Sequence, residues 1–327
     1  MALLVQKFGG SSLQGAERFR RAAARIAAAY EQGDDVVAVL SARGDTTDRL
    51  LAEARTICPD PPRRETDLLL SVGEQIAVAQ MAMQLAAMGL PATALTGWQA
   101  GVRTDSRFGD ARIHHVTGGR IRRALLGRSI VLTAGFQGIS ESGDITTLGR
   151  GGSDTTAVAL AAHLGADACR IYTDVDGVYT ADPRLLPEAR RLEAVSFDDM
   201  LELARLGAQV LHSRCVELAR AQGYSFEVRS SLAEEAPGTR IVPEAERRFC
   251  GVTLRRGVPL PTSGAAGSQV SIVGAACAEQ ETAVQVLRAL DGLELLRLSQ
   301  QARSISAYLP DGEALEAARR LHYLFLS

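Results

Sequence analysis

Lys7 is the single lysine of a 327-residue chain; every other one of its 36 lysine-plus-arginine positions is arginine. It stands in VQKFGGSS, Val5–Ser12, just ahead of Gly9 and Gly10 and then Ser11 and Ser12. An ammonium group is a compact point charge on a flexible stem and can follow a phosphoryl group that moves. A guanidinium is a wider, planar fork, better suited to clamping an anion in place. Glycines and serines ahead of a helical stretch let backbone N–H groups face an anion at a helix N-terminus. The plainer reading is a lysine snorkelling from a strand end beside a tight glycine turn.

A second group, Arg150–Asp154 in GRGGSDTT, sets an arginine, two glycines, a hydroxyl and a carboxylate side by side. That set can hold a zwitterion, guanidinium on carboxylate and carboxylate on ammonium. Its ordinary alternative is a helix cap, with Ser153 or Asp154 capping a helix through Ala161. Glu74, in SVGEQ, lies near a helix start, where a glutamate is common. Standard nucleotide and metal signatures are missing. Phe8 follows Lys7 and no glycine precedes it, which excludes a Walker A loop, and Asp154 occupies the last glycine position of a dinucleotide fingerprint. DVDG brings its glycine two positions too early for an EF-hand, and no histidine or cysteine cluster has zinc spacing. The adjacent His114 and His115 read as surface or structural residues.

These loops need elements to hold them. LLVQKF, DVVAVLS, LPATALT, SIVLTAGF, CRIYTDV and YSFEV read as strands, several apolar enough to be buried on both faces. Helical spacing runs through AERFRRAAARIAAAYEQG, SVGEQIAVAQMAMQLAAMG, DTTAVALAAHLGA and SFDDMLELARLGA. The alternation predicts an α/β fold with a doubly wound, mostly parallel sheet. The loops KFGGSS, SARGDTTD, TGWQAG, GFQG and TDVDGVYTADPR each follow a strand, and ligands bind at the carboxyl ends of such strands. A linker at 243–250, with Pro243 and a charge run, separates residues 1–242 from a small α+β unit at 251–327. There, strands are expected at 251–260, 268–276, 293–300 and 304–310. A helix is expected to bury Ala283, Val286, Leu287 and Leu290, and another closes the segment.

Composition narrows the class. With 46% apolar and 23% charged residues, a net charge of −2 and a pI near 6.3, the chain reads as globular, without a nucleic-acid or membrane partner. No cationic, apolar leader precedes Leu3, and five scattered cysteines suggest buried thiols in a reducing compartment, hence the cytoplasm.

VQKFGGSS, SARGDTTDRLL, Gly73–Glu74, LTGWQAGVRTD, GFQG, TTLGRGGSDTTA and TDVDGVYTADPR together resemble the aspartate kinase family of the amino acid kinase superfamily, over about residues 3–242. The resemblance implies phosphoryl transfer from ATP to the side-chain carboxylate of L-aspartate, giving 4-phospho-L-aspartate, with Mg²⁺ accompanying ATP. It assigns Lys7, Phe8, Gly9, Gly10 and Ser11 to the ATP phosphates. Thr173, Asp174, Tyr179, Asp182, Arg184 and Gln209 go to the rest of the nucleotide, and no protein-held metal site is expected. Thr47, Glu74, Arg150, Gly151, Gly152, Ser153 and Asp154 would hold aspartate, Arg150 on the α-carboxylate and Glu74 with Asp154 on the ammonium. Lys7, Arg150 and Asp154 are the expected catalytic residues.

Two departures stand out. The family usually reads GAKVLHP where this chain has GAQVLHS, so Gln209 replaces a nucleotide-contacting lysine. Beyond Val242 the segment from Gln269 resembles one ACT unit, with Val252–Leu260 as a residual strand of the other, rather than the usual interleaved pair. Reduced lysine or threonine feedback is therefore expected, with the ACT-like unit serving a homodimer. A non-catalytic amino-acid-binding paralogue, or a kinase for another small amino acid carboxylate, are the alternative expectations.

Overall fold

A computed structural model describes residues 1–233, 236–260 and 266–327. In chain order the elements begin β1 (Leu3–Phe8), α1 (Gly15–Glu31), β2 (Asp35–Leu40), α2 (Thr46–Ile57), α3 (Arg63–Leu70) and α4 (Val72–Ala87). Next come β3 (Ala92–Leu95), β4 (Val102–Thr104), β5 (Ile113–Val116), α5 (Gly119–Leu126), β6 (Ile130–Ala134), β7 (Gln137–Ile139) and β8 (Ile145–Thr147). Then follow α6 (Gly152–Leu164), β9 (Ala168–Thr173), β10 (Ala194–Ser196), α7 (Phe197–Arg205), α8 (Ser213–Gln222), β11 (Phe226–Ser230) and β12 (Thr239–Val242). The last are β13 (Gly251–Pro259), β14 (Ala266–Val273), α9 (Gln280–Ala289), β15 (Arg297–Gln300), β16 (Ser304–Leu309) and α10 (Ala314–Leu326). The chain divides into two units, 1–176 with 218–238, and 177–217 with 239–327.

In the first unit the strands run in the order β11-β9-β1-β2-β6-β3, all neighbours parallel. The central strands are apolar because both faces are covered. On one face α1 presents Phe19, Ala22, Ala23, Ile26 and Ala27 at helical spacing, packed with Ala77, Val78, Met81 and Leu85 of α4. On the other, α6 packs on β1 and β9, and α5 on β6. A small four-stranded sheet, β5-β4-β7-β8, was not apparent in the sequence pattern, nor were α2, α3, α5 and α8. Its strands are three or four residues long, too short to show a period.

The second unit holds the parallel pair β10-β12 and an antiparallel sheet in the order β13-β14-β16-β15. A single break after Val242 does not describe this division. Ala181 and Leu186 bury in the same apolar core as Val270, Ile305 and Leu321, and the Val252 N–H donates to the Thr180 carbonyl at 2.7 Å. The Thr180 hydroxyl also bonds His322 Nε2 at 2.8 Å. Burial against segments more than seventy residues away has no local signature, so a break read from sequence falls elsewhere. On α9, Leu287 is exposed rather than inward. Thr282 takes the buried position, its hydroxyl donating to the Ala276 carbonyl at 2.8 Å, while Val286 and Leu290 stay inside.

Phe8 closes β1 with no exposed surface and stacks on Tyr172, ring centroids 4.9 Å apart. Phe8→Ala should lower unfolding free energy by about 3–5 kcal/mol in a denaturant titration; a loss below about 1 kcal/mol would mean that the β1 end is not part of the core.

Candidate active site

Parallel strands send their carboxyl ends to one edge, and there the loops of the first unit are stitched together. The Ser41 N–H donates to the Phe8 carbonyl, Gly44 N–H to Gly10, and Gly135 N–H to Leu40, all at 3.0–3.1 Å. Gly10 permits this approach because a Cβ there would lie 2.8 Å from the Ala42 carbonyl oxygen. At this edge opens a cavity of about 810 Å³, lined by Lys7, Gly10, Thr47, Glu74 and Arg150–Asp154 among others. These nine motif positions, spread over more than a hundred residues of sequence, thus share one wall.

Lys7 does not snorkel. It is 7% exposed, and its Nζ lies 2.5 Å from Asp154 Oδ1. Asp154 sits in the first turn of α6, and the N-cap is Gly151, with no side-chain cap. The expected capping by Ser153 or Asp154 therefore fails: both lie inside the helix, which frees the Asp154 carboxylate for Lys7. Stripping water from two charges is costly, so such a pair is retained where both charges have work to do or where each needs the other.

Glu74 enters through the first turn of α4. A Cβ on Gly73 would lie 2.8 Å from the Ala42 Cβ, so only glycine lets α4 begin this close to the loop after β2. As a result the Ala42 N–H donates to Glu74 Oε1 at 2.9 Å. Oε2 is buried without a partner, and Glu74 as a whole is 3% exposed. Burial with a single amide donor pushes its carboxyl up to about 8.

Thr47 is half-buried in the first turn of α2, and Arg150 is exposed at the cavity. Phe8, Gly9, Ser11, Thr173 and Asp174 belong to the same unit but do not line the cavity. The Phe8 ring is in the core, which leaves only its backbone to meet a ligand. Ser11–Leu13 form a 3₁₀ turn, with Ser12 N–H bonded to the Gly9 carbonyl and Leu13 N–H to Gly10. Because α1 starts only at Gly15, the expected anion seat at its N-terminus becomes instead a glycine-serine turn. Tyr179, Asp182, Arg184 and Gln209 lie in the second unit. There Arg184 grips Asp182 through Nε and Nη2 at 2.9 and 2.8 Å and holds its carboxyl below the usual range. Tyr179 pairs with Arg191 in an isolated bridge, and Gln209 is exposed in irregular chain.

Sequence reasoning passed over Asp67, which also lines the cavity and is 1% exposed. The one signal available was an acidic residue seven positions before Glu74, in the otherwise apolar run TDLLL.

Glu74 sets a testable pH dependence. Its folded-state pKa lies above the ordinary value of 4.5, so between about 5 and 8 the folded chain keeps a proton that the unfolded chain releases. Stability contributed by the neutral form is lost as pH rises through that window. Glu74→Gln should flatten the decline between pH 5 and 8 in denaturant titrations; an unchanged slope would place the proton elsewhere.

Comparison with known proteins gives this geometry a lineage. The sequence model of the amino acid kinase family matches residues 2–230. The chain is 52% identical over 296 residues to the aspartokinase of Corynebacterium efficiens, covering 90% of this chain and 69% of that protein. It is 56% identical over 243 residues to the aspartokinase of Mycobacterium tuberculosis, covering 74% of this chain but 58% of that one. Among solved structures, Escherichia coli aspartokinase III in complex with aspartate and ADP superposes with a TM-score of 0.82 over 99% of this chain and 100% of that chain. At 21% identity that likeness speaks to the fold. With the fold, the ordered motifs and identities above one half in agreement, the chain belongs to the amino acid kinase family and, within it, to the aspartokinases, the ATP-dependent kinases of aspartate.

Proposed function

We propose that the cavity of the first unit binds L-aspartate between Glu74 and Arg150 and presents its side-chain carboxylate to the γ-phosphoryl group of ATP. The observation that carries this reading is Glu74 Oε2, buried and unpartnered at the cavity wall. An ammonium group satisfies it, and the incoming charge favours the ionised form of the carboxyl. Arg150 is free to meet the α-carboxylate with its fork of donors. Thr47 and the Gly151–Ser153 turn complete the grip.

The nucleophile is a carboxylate, ionised at neutral pH with an ordinary pKa near 4, so the reaction needs no general base. Positioning and charge neutralisation remain. Lys7 supplies a mobile ammonium that exchanges Asp154 for the phosphoryl oxygens while staying at the strand end. Gly10 and Ser11 follow it on the same turn and offer backbone N–H groups, while the Gly9 N–H is bonded to the Tyr172 carbonyl at 3.3 Å, so that Gly9 serves by its lack of a side chain. We assign the remainder of the nucleotide to Thr173, Asp174, Tyr179, Asp182, Arg184 and Gln209, as the family motif has it. No three His, Cys, Asp or Glu side chains cluster for a metal among the described residues. Mg²⁺ carried on phosphate oxygens needs only one or two carboxylates, and Asp154 in the cavity fits that need. The ion supplies charge screening on the transferred group.

The four-stranded sheet with α9 and α10 fits a single ACT-like unit, for which we propose a homodimer contact. Five free thiols fit a cytoplasmic enzyme. Reduced feedback belongs to the same reading.

The deciding assay is aspartate-dependent ADP release with Mg-ATP, with hydroxylamine present to trap acyl phosphate and lysine or threonine added in parallel. We expect hydroxamate from aspartate, little affected by either effector. Aspartate binding without turnover would favour the regulatory paralogue instead, with Gln209 as its cause, and Gln209→Lys should then restore ATP use. Lys7→Ala would strand the Asp154 charge, so Lys7→Arg is the cleaner variant. It should lose on the order of 10²–10³ in kcat despite its preserved charge; normal turnover would remove Lys7 from the mechanism.

A further inference from the structure

We infer that Asp67 is a positioning residue for aspartate binding: it locks the hairpin that leads to Arg150 onto the helix pair that carries Glu74. The inference rests on the proposed aspartate site. Asp67 lies on α3 and accepts three hydrogen bonds. The Thr147 N–H and Gly109 N–H donate to Oδ2 at 2.7 and 2.9 Å, and the Thr147 hydroxyl donates to Oδ1 at 2.7 Å. Thr147 is the last residue of β8, three before Arg150. Gly109 lies in the loop whose Phe108 and Asp110 also line the cavity.

The other side of the lock is equally short. From Asp67 the chain passes through Ser71, whose N–H donates to the Asp67 carbonyl at 3.0 Å, into α4 and Glu74. Seven residues of nearly continuous helix make two turns, so Glu74 follows Asp67 almost rigidly. A second tie supports the first: Gln137 Nε2, on the paired strand β7, donates to the Ser71 carbonyl at 2.8 Å. Both strands of the β7–β8 hairpin are therefore fastened to the α3–α4 junction from inside. A small zwitterion held at its two ends reads the separation of Arg150 and Glu74, and Asp67 fixes that separation.

The chemistry of Asp67 suits this role and no other in the cavity. All three donors are neutral, and they occupy both oxygens, so the side chain has little left to offer a ligand. Burial pushes its carboxyl above the ordinary range, while the three bonds pull the other way. An asparagine could keep the two N–H bonds through its oxygen and donate its NH₂ to the Thr147 hydroxyl, so only removal of the side-chain end breaks the lock.

The test uses the full chain, with aspartate affinity by calorimetry, separate KM values for aspartate and ATP, and the thermal midpoint. Asp67→Ala and Thr147→Val should each raise the aspartate KM and Kd by about tenfold or more, and leave the ATP KM within about twofold. Thr147→Ser keeps the hydroxyl donor and should restore aspartate affinity to within about threefold of the parent. The double variant should be little worse than the poorer single one, because both break the same contact. A lowered thermal midpoint with unchanged aspartate affinity would make Asp67 merely structural and overturn the inference, as would equal losses for aspartate and ATP. If Asp67→Ala fails to fold, Thr147→Val against Thr147→Ser decides alone. A parent chain that binds no aspartate would overturn the proposed site and this inference with it, whereas an active parent with indifferent variants would overturn only the inference.

Discussion

Everything chemical in the first unit depends on a parallel sheet having one edge at which all of its strands end. Loops separated by as many as 140 residues in sequence meet there because Phe8, Leu40 and Ala134 close neighbouring strands in register. The same edge exposes unsatisfied backbone groups, which the loops answer with one another's amides before any ligand arrives. Close approach then becomes the limiting requirement. It explains glycine at positions 10 and 73, where a Cβ would drive into the loop after β2.

Three carboxylates meet this edge, Asp67 and Glu74 buried and Asp154 half-buried, and each is treated differently. Asp154 is neutralised by Lys7, Asp67 is satisfied by three neutral donors, and Glu74 receives one amide and retains an oxygen without a partner. A buried polar atom left unpaired costs free energy that a fold does not ordinarily tolerate. The cost is offset when a ligand supplies the missing donor, which makes specificity a matter of which group brings a positive charge to that point. The Lys7–Asp154 pair has a complementary logic: an ammonium held by one anion is available to another that enters the cavity. Satisfaction and its absence thus separate scaffold from site among residues of one chemical type.

In the second unit the same principle orders a loop. The loop bearing Tyr179 and Asp182 is ordered by burial of Ala181 and Leu186 and by the bond between Thr180 and His322 on the closing helix. Its sequence belongs to the motif series of the first unit, yet its packing belongs with the C-terminal sheet. Motif order in the chain and membership in a packed body are set by different forces.

The sequence by itself determined the parallel α/β architecture, because apolar strands alternating with helical periods admit few other arrangements. It also carried the ordered glycine-rich motifs whose resemblance to the aspartate kinase family named the site residues, each of which local pattern alone left open to an ordinary structural reading. Residues Lys7, Thr47, Glu74 and Arg150–Asp154 were legible in this way, and they line one cavity. What each of them touches was not legible. The pairing of Lys7 with Asp154 spans nearly the whole unit, the isolation of Glu74 Oε2 depends on the position of Ala42, and Asp67 is distinguished only by donors from 42 and 80 residues away. Short strands such as β7 and β8 had no period to read, and on α9 the buried stripe runs through Thr282, Val286 and Leu290, which leaves Leu287 outside. Residue type and local period are properties of the chain, whereas burial and hydrogen-bond partnership exist only after distant segments meet, so the tertiary structure alone decided which carboxylates are paired and which keeps an oxygen without a partner.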